Sequence, residues 1–267
     1  MKLGVIGAGN MASAIVRGVA ASGKVATGDI WVSDLDKAKL GALAEVGVHT
    51  STENTDVYKN SDTIIFAVKP NIYPIVLKEA AQQPGIEKKL LITIAPGITS
   101  DTVKAYFSAG VAVVRTMPNT PAMVGAGMTV LCAQDDVSDE AFAQAQTVFD
   151  CVGKTLRLDE KLMDAVVALN GSSPAYIFML IEAMADAGVQ GGVPRAAAYE
   201  LAAQSVLGSA KMVLETGKHP GELKDMVCSP GGTTIDAVAV LEKQGFRSSV
   251  IEAMAACTEK TKAMAKK

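Results

Sequence analysis

Apolar positions along the chain fall into two textures. From residue 1 to residue 158, short β-branched runs recur between stretches whose apolar residues repeat at helical spacing. Seven runs have strand character: 3–7, 30–34, 63–68, 90–95, 111–116, 128–133 and 154–158. Strand runs alternating with amphipathic segments predict βαβ units and a doubly wound, mostly parallel sheet. The runs TIIFAV and LLITIA are apolar on both alternating faces, the pattern of central strands covered by helices above and below.

After Asp159 the strand-like runs stop and helical patterns with capping signals take over, so the chain is expected to divide into an α/β domain, 1–158, and an all-α domain, 159–267. Ser173 with Pro174 starts one helix that Gly188 can end, and Pro194 starts another that Gly217 can end. Thr233 with Asp236 reads as an acidic capping box ahead of a helix over 235–243, and Ser249 with Glu252 as a standard one. The helix over 195–216 is rich in Ala, Gly and Ser on most of its faces, which predicts close packing and burial. In so small a region, the covering surface is expected to come from a second subunit. The lysine-rich stretch 260–267 reads as a solvated helix end.

Composition narrows the function classes. At about 150 residues per domain, 267 residues make one large or two modest domains. The 25 basic and 28 acidic residues, without blocks of like charge, exclude the usual signatures of nucleic-acid or anionic-membrane binding. Four cysteines at long, irregular intervals and two distant histidines give no metal-binding spacing, so reduced thiols and no metal are expected. The N-terminal apolar stretch is interrupted by glycines after five residues and is not read as a leader. No stretch approaches the roughly 18 uninterrupted apolar residues of a membrane span, and the most apolar candidate, 175–189, contains Glu182 and Asp186. A soluble, cytoplasmic protein is expected.

Gly7-Ala8-Gly9-Asn10-Met11-Ala12 follows the first strand and opens the first helix. Gly7 permits the tight turn, Gly9 lets a pyrophosphate approach the backbone, and Ala12 stands at the small-residue position between helix and strand. The helix N-terminus offers unpaired N–H groups and positive dipole. This is the dinucleotide-binding pattern of a Rossmann domain, with alanine for the last glycine. Asp34 ends the second run 25 residues after Gly9, where a carboxylate accepts from an adenosine ribose and repels a 2′-phosphate. Ser33, Lys37 and Lys39 argue the other way, and Asp34 also suits a helix cap, so NADH and NADPH both stay open.

Ligands in open α/β sheets lie beyond the carboxyl ends of the strands, so the loops Val68-Lys69-Pro70 and Ala95-Pro96-Gly97 should line the crevice. Lys69 is placed either there or in solvent. Met117-Pro118-Asn119-Thr120-Pro121 makes a stiffened loop that is either a turn or a holder for the nicotinamide end. In the helical region, Ser229-Pro230-Gly231-Gly232-Thr233-Thr234 enters a helix with two glycines and two hydroxyls. A capped helix needs only one hydroxyl, and this pattern suits an anion pocket with hydroxyl donors.

Taken together, GAGNM, AVKP, MPNTP, GSSPAY at 171–176 and HPGELKDMVCSPGGTT at 219–234 resemble the pyrroline-5-carboxylate reductase family over essentially the whole chain. Asn170 and Ser173 replace the family's usual serine and glycine in SGSGPAY, and Pro96 stands in a segment that usually reads AAG. The resemblance implies reduction of the cyclic imine 1-pyrroline-5-carboxylate to L-proline by NADH or NADPH. It also implies a Rossmann domain followed by a helical dimerisation domain, dimers that often assemble into decamers, and a site shared between subunits. By motif, Ile6, Gly7, Ala8, Gly9, Asn10, Met11, Ser33, Asn54, Ala67, Val68, Lys69, Pro70, Ala95 and Gly97 would hold cofactor. Gly231, Gly232, Thr233 and Thr234 would hold substrate, with Thr234 bonded to the ring nitrogen as the catalytic group.

The residues fit this chemistry on their own terms. A hydroxyacid dehydrogenase must remove a hydroxyl proton and needs a base, whereas a cyclic imine takes its proton from water. The alternatives are a β-hydroxyacid-dehydrogenase-type enzyme, whose usual catalytic lysine has no counterpart in 170–193, and a dinucleotide sensor, which has no use for SPGGTT.

Overall fold

The structure, a computed structural model, describes every residue except Ala109, Lys266 and Lys267. It has two compact units, Met1–Ser172 with Cys257–Lys267, and Ser173–Ala256.

The first unit carries an eight-stranded sheet of β1 (Leu3–Ile6), β2 (Ile30–Ser33), β3 (His49–Ser51), β4 (Thr63–Phe66), β5 (Leu90–Thr93), β6 (Ala112–Met117), β7 (Gly127–Ala133) and β8 (Gly153–Arg157). The order is β3-β2-β1-β4-β5-β6-β7-β8. Neighbours are parallel except β6 and β7, which are antiparallel. The chain winds one way from β1 to β3 and the other way from β4, so β1 and β4 flank a topological switch point.

Helices cover both faces. On one, Leu3, Val5, Val32, Ile65 and Ile92 pack with α1 (Asn10–Ser22), α2 (Lys37–Ala44) and α6 (Asp139–Phe149) through residues such as Ile15, Leu43 and Phe149. On the other, Ile64, Phe66, Leu91 and Val113 pack with α3 (Asn54–Asn60), α4 (Tyr73–Ala80) and α5 (Ser100–Lys104) through Tyr58, Leu77 and Val103. Neighbours in sequence on β4 and β5 face opposite cores, as their two-sided apolar runs predict. Each such side chain contributes roughly 1.5–3 kcal/mol on burial.

The seven expected strands form, and β3 is an eighth. Its residues, His49, Thr50 and Ser51, carry no apolar alternation because it is a three-residue edge strand. Backbone pairing and a stacked Trp31–His49 contact, ring centroids 4.2 Å apart, hold it to β2.

The compact first unit extends beyond the change of texture at 159. The short helix α7 (Met163–Val166) and a π-helical turn, Val167–Gly171, are helical in pattern but bury Met163, Val166 and Val167 against Met117, Val130 and Cys132 of the sheet. Burial and the Glu160 carboxylate push the Cys132 thiol up to about 12, so this thiol is a packing group. The same region holds Arg115, 2% exposed, whose guanidinium pairs with Glu160 at 3.4 Å and Asp164 at 3.3 Å. Glu160 also accepts from the Ser100 backbone N–H at 2.8 Å.

The second unit contains α8 (Ser173–Gln190), α9 (Arg195–Thr216), α10 (Pro220–Val227), α11 (Thr233–Lys243) and the start of α12 (Phe246–Ala265). Ser173 opens α8, which runs past Gly188 and stops before Gly191. Pro194 precedes α9 and Gly217, left-handed at φ 65°, ends it. Two capping assignments change. Gly232, not Thr233, is the N-cap of α11, and Ser249 lies inside α12, which begins after the left-handed Gly245. The end of α12 includes residues 260–265 of the expected lysine-rich helix end; Lys266 and Lys267 lie outside the described residues.

Within 173–256 only Pro174, Ala185, Ala198 and Ala202 are buried among the described residues, while Phe178, Leu201, Leu207, Leu214, Met226 and Ile251 stand exposed. The predicted burial of α9 is therefore not met within a single chain. The stretch Glu160–Gln190 is long and apolar enough to cross a bilayer by length and mean hydropathy, with 17% of its apolar window buried, although it holds no uninterrupted apolar run of that length. It passes on mean hydropathy because Glu182 and Asp186 are diluted by Met, Ile, Leu and Ala.

Replacing Arg115 by methionine leaves two carboxylates facing each other without a counter-charge. The expected loss is about 3 kcal/mol, read as a lower urea midpoint with unchanged slope.

Candidate active site

The turn after β1 is fixed by a steric limit. Gly7 has φ 104°, and a Cβ there would lie 2.7 Å from the Ala67 carbonyl oxygen and 3.2 Å from Val68 Cγ1. Backbone bonds lock the same contact: Gly7 N–H donates to the Ser33 oxygen at 2.7 Å, and Ala67 N–H donates to the Ile6 oxygen at 2.8 Å. Ile6, Gly7 and Ala67 are thereby gathered where β1, β2 and β4 end.

Gly9 is the N-cap of α1, no side chain caps it, and nothing lies within 4 Å of a Cβ built on it. Ala12 is buried beneath it. Asn10 is exposed and Met11 half-buried on the first turn. An uncapped helix start with open space above its glycine fits a pyrophosphate.

At the end of β2, Ser33 is fully buried and its hydroxyl donates to Asn54 Oδ1 at 2.7 Å. Asn54 Nδ2 donates onward to Glu79 at 2.8 Å. Asp34 is half-buried, and its Oδ2 accepts from the Ala8 N–H at 2.6 Å. The cap of α2 is Asp36, which accepts from the Ala38 and Lys39 N–H groups, and those bonds hold its carboxyl below the usual range.

The loops after β4 and β5 adjoin in the same way. Val68 and Ala67 are half-buried, Lys69 is exposed, and Pro70 opens a short 3-10 turn into α4. Ala95 is buried, and Gly97 has φ 75°. A cleft of about 380 Å³ lies between these loops, lined by Pro70, Tyr73, Pro96, Gly97, Tyr106 and Met264. Three hydroxyls that sequence reading missed tie the strand ends together. Tyr73 donates to the Phe66 oxygen at 2.6 Å, Thr93 to Tyr73 at 2.8 Å, and Thr116 to the Thr93 oxygen at 3.0 Å. Burial pushes the Tyr73 phenol well above its ordinary value. A tyrosine at the start of a helix gives no sign of this in sequence.

The stiff loop after β6 is pinned by amides. Asn119 Oδ1 accepts from the Met128 N–H at 2.9 Å, and its Nδ2 donates to Asn170 Oδ1 at 3.0 Å. Asn170 Nδ2 in turn donates to the Met117 and Met128 oxygens at 2.7 and 2.9 Å. Asn170, a departure from the family motif, is thus the clasp between the π-helical turn and the end of β6.

The remaining candidates lie in the second unit. Ser229-Pro230-Gly231-Gly232 forms a tight turn: proline is second, Gly231 third with φ 67°, and Gly232 N–H donates to the Ser229 oxygen at 3.0 Å. A Cβ at Gly232 would strike Ser229 Oγ. Thr233 and Thr234 occupy the first turn of α11, Thr234 half-buried, and no side chain caps that helix. The sequence places these hydroxyls ahead of the helix; the structure puts them on it, and its first-turn N–H groups have no side-chain cap.

This arrangement matches known proteins along its full length. A pyrroline-5-carboxylate reductase of Escherichia coli (strain K12) is 49% identical over 266 residues, covering 99% of this chain and 98% of that protein. The chain belongs to the pyrroline-5-carboxylate reductase family. Residues 160–264 match the family model for pyrroline-5-carboxylate reductase dimerisation, and residues 2–97 that for NADP oxidoreductase, coenzyme F420-dependent. Among solved structures, a pyrroline-5-carboxylate reductase from Coxiella burnetii has a TM-score of 0.89 at 35% identity, covering 100% of this chain and 99% of that one. The Plasmodium falciparum pyrroline carboxylate reductase with NADP bound has a TM-score of 0.91 at 32% identity, covering 99% and 98%. A helical dimerisation region is what the uncovered apolar surface of 173–256 requires, and the dinucleotide fold is what the β1 turn requires.

Two glycines separate folding from binding. Gly7→Ala should cost about 1–3 kcal/mol of stability through strain and collision, whereas Gly9→Ala, which meets open space, should cost less than about 1 kcal/mol and mainly weaken dinucleotide binding. Thermal unfolding and calorimetric titration measure both.

Proposed function

We propose that this chain reduces 1-pyrroline-5-carboxylate to L-proline, using NADH or NADPH as hydride donor, in the cytoplasm. The observation that carries the reading is the Ser229–Thr234 segment: a glycine-capped helix start with two hydroxyls on its first turn, in a chain of this family.

Gly231, Gly232 and Thr233 hold the substrate carboxylate through N–H groups of the turn other than that of Gly232, which is bonded to the Ser229 oxygen, and the Thr234 hydroxyl bonds the ring nitrogen. The protonated imine carries its own electrophilic charge, so no side chain has to act as obligatory base. Gly7, Ala8, Gly9, Asn10 and Met11 cradle the pyrophosphate at the start of α1, with Ile6 beneath. Ser33 acts through Asn54, and Ala67, Val68, Lys69, Pro70, Ala95 and Gly97 border the dinucleotide beyond the strand ends. The bound nicotinamide supplies the hydride. The protein's own contribution is orientation and exclusion of water.

The exposed apolar residues of α8, α9 and α12 are the subunit contact, which also accounts for the apolar stretch Glu160–Gln190. The functional unit is a homodimer, able to assemble further into a decamer.

Thr234→Val should lower kcat about 100-fold while dinucleotide Kd stays within twofold. Turnover equal to that of the unaltered protein would remove Thr234 from the mechanism. Light scattering at micromolar concentration should give no species smaller than a dimer, and a monomer peak would contradict the assigned contact.

A further inference from the structure

The sequence leaves the dinucleotide's adenosine end open between two chemistries, and the structure separates them. Asp34 is fixed at both oxygens: Oδ2 accepts from the Ala8 N–H at 2.6 Å and Oδ1 from the Asp36 N–H at 2.8 Å. Its own N–H donates to the Ser51 oxygen at 3.3 Å, which holds the backbone as well. The carboxylate is therefore clamped against the glycine-rich turn. Each oxygen keeps a second lone pair, so the group can still accept from two adjacent hydroxyls.

Of the residues that favour a 2′-phosphate, Ser33 and Lys39 are committed elsewhere. Ser33 has no exposed surface and gives its hydroxyl to Asn54. Lys39 pairs with Asp36 at 3.4 Å. Arg17 donates to the Ala42 oxygen at 2.6 Å. Lys37 is exposed on the first turn of α2. Leu35, next to Asp34, is 89% exposed, an uncovered apolar side chain beside the carboxylate.

We propose that Asp34 makes this protein select NADH over NADPH, accepting from the unmodified ribose hydroxyls and opposing a 2′-phosphate, with Leu35 as apolar surface for the adenine. The inference rests on the dinucleotide reading above and goes beyond it by naming the cofactor. Two like charges a few ångströms apart at a half-buried site disfavour binding about tenfold or more.

Calorimetric titration of the full-length oligomer with NAD⁺ and with NADP⁺, without substrate, tests it. NAD⁺ should bind about tenfold more tightly or better, and the gap should widen at low ionic strength. Asp34→Ser should abolish the gap by strengthening NADP⁺ and weakening NAD⁺; should that variant not fold, Asp34→Asn, which keeps an acceptor oxygen, reads the same ratio. Equal or tighter NADP⁺ binding by the unaltered protein overturns the proposal, as does a ratio unmoved by removing the charge. Binding of neither dinucleotide overturns the dinucleotide reading and this inference with it, whereas a reversed preference overturns this inference alone.

Discussion

A side chain at position 7 would strike the Ala67 carbonyl oxygen, and much of the first unit is arranged around that limit. β1 and β4 lie side by side because the winding reverses between them, so the turn leaving β1 and the loop leaving β4 converge on one point. Only glycine, at φ 104°, lets them meet. The meeting sets where α1 begins, and α1 begins without a side-chain cap, so its first amides face the crevice rather than the chain's own atoms.

Around that point the strand ends are held by polar groups as well as by apolar packing. The Tyr73, Thr93 and Thr116 hydroxyls join three strands, and Asn119 and Asn170 clasp the loop after β6. Directional bonds suit a crevice rim, because they fix loop positions to fractions of an ångström where apolar contact fixes only proximity. Buried Arg115 does the same service where α7 meets the sheet, its two terminal nitrogens paired with two carboxylates from one segment while its Nε has no partner among the described residues.

The second unit is under a different constraint. Its helices are small-residue and apolar, yet only four residues in 173–256 are buried. Helices that cover so little of themselves gain their stability from another surface. The Ser229–Thr234 turn, the proposed substrate turn, is carried by this same unit.

The alternation of β-branched runs with amphipathic stretches was enough to determine the two-sided sheet, because burial on both faces demands apolar residues at successive positions of β4 and β5, as in Ile64-Ile65-Phe66 and Leu90-Leu91-Ile92. The glycine-rich turn and SPGGTT were legible for a similar reason: positive φ and close approach restrict residue type locally. β3 was not, since an edge strand of His, Thr and Ser is held by backbone pairing that leaves no hydrophobic pattern. Nor could sequence tell that 160–172 packs on the sheet, that Gly232 rather than Thr233 caps α11, or that Asn170 is a clasp, because each depends on which distant group comes within bonding distance. The same holds at the end of β2. Sequence put Ser33, Asp34, Lys37 and Lys39 within a few residues of one another, and only the tertiary structure decided that the serine is buried, Lys39 is paired and the acid is clamped at the crevice.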